Sequence, residues 1–160
     1  MSAKGLLRAC WLLPLLAALA ACGSKPPKPV IMKVGMEANA SVNPDVRNRP
    51  SPVVVRVFEL KSVTAFNRAD FFTLYEKESE ALGADLVARE EVLLKPGDKQ
   101  SLERQWQPDT KYIGVLAAFR NLDKAQWRST VAIAPPKKKQ TLIVPVVSVA
   151  GNSVTVKVQE

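Results

Sequence analysis

From residue 30 onward, turn residues cut the chain into short extended segments, and that spacing leaves few architectures open to it. The last segment is the clearest. Val154, Val156 and Val158 alternate with Thr155, Lys157 and Gln159, and a period of two sends the two sets to opposite faces of a strand. Val30, Met32, Val34 and Met36 share a face in the same way and predict a first strand. The β-branched run Val53-Val54-Val55-Arg56-Val57-Phe58-Glu59-Leu60 predicts a second, central one. Further strands are expected over 85–94, 100–106, 111–120, 127–133 and 141–149. Pro145 pushes part of the 141–149 segment toward an edge or a bulge. Residues 62–82 break the pattern: Phe66, Ala69, Phe71, Phe72 and Tyr75 recur at mixed spacings of three and four. One or two short helices are expected there, with Thr64 and Asn67 as candidate caps and Gly83 as the stop. Their phenylalanines are read as core, packed on an edge or end of a sheet. The expected fold class is mainly β: a two-sheet antiparallel β-sandwich with a short helical insertion after the second strand.

The first 29 residues do not belong to that pattern. Lys4 and Arg8 precede residues 9–21, all apolar apart from Pro14. That run is too short to cross a hydrocarbon core of about 30 Å, so residues 1–21 read as a secretory signal. Its end, Leu19-Ala20-Ala21-Cys22, matches the bacterial lipobox, in which small residues admit a peptidase and the thiol accepts a diacylglyceryl group. Cys22 is therefore the expected lipidation site and membrane attachment. Gly23 and Ser24 follow it, without the Asp that retains many such proteins in the inner membrane, so the outer membrane is the expected destination. Residues 22–29 then form a lipidated, proline-rich tether, and residues 30–160 the folded domain.

Composition narrows the chemistry. The chain has no histidine, which removes the usual general base and every histidine-based triad. Its only other cysteine, Cys10, lies in the signal, so neither a disulfide framework nor a zinc site is expected. Glu90 and Glu91 are adjacent on a strand and face opposite ways. No phosphate loop or calcium loop is present. The reading is not an enzyme, with no cofactor and no metal. The formal charge is +8, of which Lys4 and Arg8 carry two units. A basic balance suits anionic lipid or an acidic protein surface, whereas nucleic acid is not expected in a secreted compartment. Lys137-Lys138-Lys139 after Pro135-Pro136 reads as a solvated loop tip.

What remains is a binding module. Asn43, Pro44, Asp45, Val46, Arg47, Asn48, Arg49, Pro50 and Ser51 form a polar stretch longer than a hairpin needs, and loops on a rigid sandwich are where function concentrates. An alternative is a carrier that encloses a small apolar ligand among the inward valines; a general assembly factor is another.

Several motifs then occur in a telling order. Pro50-Ser51-Pro52-Val53-Val54-Val55-Arg56-Val57-Phe58-Glu59-Leu60-Lys61 is followed by Phe66 and Ala69-Asp70-Phe71-Phe72-Thr73-Leu74-Tyr75. Leu82-Gly83-Ala84-Asp85-Leu86, Lys95-Pro96-Gly97, Tyr112-Ile113-Gly114-Val115-Leu116-Ala117-Ala118-Phe119-Arg120 and Trp127-Arg128 come next. With the lipobox, this string resembles the type VI secretion lipoprotein family (TssJ, or SciN). The resemblance implies a transthyretin-like sandwich on an outer-membrane lipoprotein that faces the periplasm. It implies binding to the periplasmic domain of TssM (IcmF family) and, through it, indirect association with TssL. It also implies that the loop between the first two strands, by position residues 43–51, takes part in that contact.

Overall fold

The computed structural model of the protein describes residues 29–137 and 142–159. The expected signal, Cys22, all of the tether but Pro29, and Lys138 and Lys139 lie outside the described residues.

Eight strands are described: β1 (Ile31–Ala38), β2 (Val53–Leu60), β3 (Leu86–Leu94), β4 (Lys99–Gln105), β5 (Tyr112–Ala118), β6 (Arg128–Ala132), β7 (Leu142–Ala150) and β8 (Ser153–Gln159). They form two four-stranded sheets, ordered β4-β1-β7-β8 and β3-β2-β5-β6. The expected β-sandwich is the observed fold. Neighbouring strands run antiparallel except β1 and β7, which are parallel. The chain makes the whole second sheet between those two strands, and a parallel pair requires such a long crossover.

The core lies between the sheets and follows the period of two. Met32 and Val34 of β1, Val55 of β2, Ile113 and Val115 of β5, Val147 of β7 and Val154 of β8 are fully buried in one cluster. Burying a side chain of this kind contributes about 1.5–3 kcal/mol.

Pro145 departs from the expectation of an edge or bulge. It lies in β7, a central strand between β1 and β8. The β8 ladder continues through it, opposite Val158, while the β1 register skips from Ile143 to Val146. The missing N–H is accommodated by interrupting one ladder only.

The helical insertion also differs in place. α1 (Thr64–Arg68), α2 (Phe71–Glu76) and α3 (Glu78–Leu82) lead into a 3₁₀ turn over Gly83–Asp85. They lie on the outer face of the β3-β2-β5-β6 sheet, where Phe66, Leu74 and Leu82 pack with Phe58, Leu60 and Leu116 in a second core. The physical reason is in β2, which is apolar on both faces and needs a cover on each. Phe66 is buried and Phe71 half-buried, but Phe72 is exposed rather than core. Thr64 and Asn67 are not the caps: α1 follows Val63 with no side-chain cap, and the Asp70 carboxylate caps α2 by accepting from the Thr73 N–H at 3.0 Å.

This order of strands separates the two ends of the sandwich. The β1–β2, β3–β4, β5–β6 and β7–β8 connections gather at one pole, tied by the Asn43 N–H to Gly151 O bond and the Gly97 N–H to Asn39 O bond. The approach to β1 sits at the other pole, where the Trp106 N–H donates to Val30 O. The 8 residues of β1 span the distance between them, about 26 Å.

Candidate partner-binding site

The stretch 43–51 is an ordered loop built around one carboxylate. Asp45 Oδ1 accepts from the backbone N–H of Arg47 at 2.8 Å and of Arg49 at 2.9 Å. Asp45 Oδ2 accepts from Arg49 Nε at 2.8 Å and lies 2.7 Å from Arg49 Nη2. The backbone closes the same turn, with the Asp45 N–H donating to Arg49 O and the Asn48 N–H to Asp45 O. These donors, the Arg49 N–H foremost and then its guanidinium, hold the Asp45 carboxyl at about 2, well below the usual carboxylate range. Asn48 takes φ of +59° in this turn, a left-handed conformation that asparagine tolerates better than most residues.

The base of the loop is pinned to the sandwich. Asn43 is buried, with φ of +50°. Its Nδ2 donates to Pro52 O at 2.7 Å, and its Oδ1 accepts from the Arg120 N–H at 2.8 Å. Ser51 is buried and its N–H donates to Val42 O, closing the loop. Val46 stands fully exposed at the tip.

A groove of about 640 Å³ runs along this loop. One wall is Pro44, Asp45, Val46 and Arg49; the other is Arg120, Asn121, Leu122 and Asp123 from the β5–β6 connection. The expected site residues thus divide. Four of them line the groove, Asn43 and Ser51 are structural, and Arg47, Asn48 and Pro50 are exposed beside it. Arg49 spends its charge on Asp45, so the outward cations of the two connections are Arg47, Arg120 and Lys124, whose side chains make no ion pair among the described residues. Sequence reasoning did not single out the second wall. Its only signal is a polar interruption after β5, which resembles any strand end.

A family model described as the type VI secretion lipoprotein (VasD, EvfM, TssJ) matches residues 31–160. The chain belongs to the type VI secretion lipoprotein family. The TssJ family is one of membrane-bound lipoproteins of a secretion system rather than of enzymes. The crystal structure of the lipoprotein TssJ1 from Pseudomonas aeruginosa is similar, at 29% identity and a TM-score of 0.75, covering 83% of this chain and 98% of that one. Lip from Serratia marcescens, a membrane-bound component of the type VI secretion system, gives 28% identity and a TM-score of 0.71, covering 83% and 98%. A chain of a type VI membrane complex shows the same fold at 24% identity and a TM-score of 0.68, covering 83% and 100%. Among curated proteins, none is similar enough to match.

Among the described residues, no group of three or more His, Cys, Asp or Glu could hold a metal ion, and no helix is long and apolar enough to cross a membrane. Val34, Val55, Val115 and Val147, which a small-ligand carrier would need as cavity lining, belong to the packed cluster between the sheets.

Proposed function

We propose that the protein is the outer-membrane lipoprotein of a type VI secretion membrane complex, held by lipid on Cys22 and facing the periplasm. In this reading residues 43–51 bind the periplasmic domain of TssM, and TssL associates indirectly. The observation that carries it is the family match over residues 31–160 combined with the polarity of the sandwich. The chain enters the fold at one pole and the loop projects from the other, so lipid and protein contacts pull on opposite ends. A Pro-rich segment after Cys22 suits the spacer such an anchor needs.

The test is a pull-down of soluble residues 23–160 with the periplasmic domain of TssM from the same organism. All the described core falls within that piece. A second version replaces residues 44–50 by a short Gly-Ser turn and is checked for folding by circular dichroism. Capture of the first and not the second is expected. Capture of both moves the contact away from the loop, and capture of neither removes TssM as the partner.

A further inference from the structure

We propose that the groove between the β1–β2 and β5–β6 connections is a docking slot for an extended peptide segment that places a carboxylate beside an apolar side chain. The inference deepens the partner-binding reading of residues 43–51 and rests on it for the identity of the natural ligand. Three observations carry it.

Val46 is fully exposed, and the loop around it is a hydrogen-bonded turn. The Asp45 clasp fixes the turn on either side of it, through the N–H groups of Arg47 and Arg49. A rigid turn that presents a β-branched apolar side chain to water offers an anchor with little ordering entropy left to lose on binding.

The charge across the slot is uneven. The two connections carry Arg47, Arg49, Arg120 and Lys124 against Asp45 and Asp123. Arg49 and Asp45 neutralise each other at 2.7 Å. What faces outward is net positive, led by Arg120, whose guanidinium has no ion-pair partner among the described residues. A guanidinium in that position takes a carboxylate through paired N–H donors. Asp123 on the same wall repels a second acid, which gives the slot a direction.

The two walls are also hydrogen-bonded to each other. The backbone N–H of Arg120 donates to the buried Asn43 side chain at 2.8 Å, so the cation and the Val46 loop are joined below the groove floor. Half-buried Leu122 supplies apolar surface between them.

The test uses ¹⁵N-labelled residues 23–160 and a blocked hexapeptide of alternating Asp and Leu, with a Lys–Leu hexapeptide as control. Saturable amide shifts at residues 45–49 and 120–123 are expected with the acidic peptide and not with the basic one. Arg120→Glu is expected to weaken the affinity at least tenfold and Val46→Ser several-fold, and since both side chains are exposed both variants fold. An absence of shifts, shifts spread evenly over other lysines and arginines, or an unchanged affinity in Arg120→Glu overturns the slot. Its failure is distinct from that of the TssM reading. Peptide binding without TssM capture keeps the slot and removes TssM, and TssM capture without peptide binding does the reverse.

Discussion

Asp45 grips Arg49 by both backbone and side chain: the carboxylate accepts from the Arg49 backbone N–H at 2.9 Å and from its Nε at 2.8 Å. The clasp titrates with the Asp45 carboxyl, held at about 2 against an ordinary value of 3.8. A depressed folded-state value means the stabilisation is complete above the unfolded value and is lost as pH falls through the folded one. The loop is therefore expected to stay ordered through the mildly acidic range and to loosen between roughly pH 4 and 2. Carboxyl and amide chemical shifts followed against pH check this: a midpoint near 4 for Asp45 sinks it. In Asp45→Ala, amide exchange at Arg47 and Arg49 is expected to rise while the sandwich melts within about 3 °C of the parent.

Arg56 is expected to be the side chain whose loss most loosens the helices. It is 9% exposed on β2, with Nε 2.6 Å from Glu91 and Nη1 3.1 Å from Glu78. Nη1 also donates to Tyr75 O, and the guanidinium lies 3.9 Å from the centroid of the Tyr75 ring. One fork thus ties the sheet to α2 and α3. Arg56→Ala removes the fork, leaves Arg89 as the remaining cation beside Glu78 and Glu91 at 2.9 and 3.6 Å, and is expected to cost about 1–3 kcal/mol. Arg56→Lys keeps the charge but not the fork or the stacking, and recovers only part of that. Urea midpoints order the three proteins, and equal midpoints for the alanine variant and the parent would falsify this role.

The strands were legible because a sandwich buries alternate residues: Met32, Val34 and Met36, or Val154 and Val156, declare their face locally. The helices were legible as helices but not in place. That Phe58 and Leu60 point outward under a helical lid follows from β2 being apolar on both faces, a pattern that also fits a buried central strand without a lid. Glu59 sits in that same run and is almost wholly buried. Its partners, the Thr110 hydroxyl donating at 2.6 Å and Arg104 Nε in an ion pair at 3.0 Å without hydrogen-bond alignment, come from distant segments that only strand pairing and the packing of the two sheets bring near. The candidate site was half legible for the same reason. Loop length exposed residues 43–51, but the opposing wall at Arg120 depends on β2 pairing with β5.

Gly114 of β5 has little room for a side chain. A Cβ there would come within 2.9 Å of Leu60 Cδ1 and 3.1 Å of Phe66 Cζ, so the glycine is what lets α1 lie flat on the sheet. Gly114→Ala overpacks the second core and is expected to destabilise by about 1–3 kcal/mol. Phe66→Leu alone opens space and also destabilises. The double variant should be more stable than the sum of the two predicts, because the smaller side chain yields to the new methyl. Strict additivity in a denaturant double-mutant cycle would show that the two residues do not share that space.

Asn43 links stability to the proposed contact. Its side chain donates to Pro52 O and accepts from the Arg120 N–H, at 2.7 and 2.8 Å, from a backbone at φ of +50°. Asn43→Ala removes both hydrogen bonds and strains the backbone, and each lost bond costs about 0.5–1.5 kcal/mol. Asn43→Asp keeps the acceptor for Arg120 but sets a carboxylate against a carbonyl oxygen, so it is expected to fall between alanine and the parent. Asn43→Gly relieves the backbone and restores neither bond. If the pin matters chiefly for joining the groove walls, Asn43→Gly should be less destabilised than Asn43→Ala yet lose as much peptide affinity. Affinities that instead follow stability across the three variants would show that Asn43 acts on the fold alone.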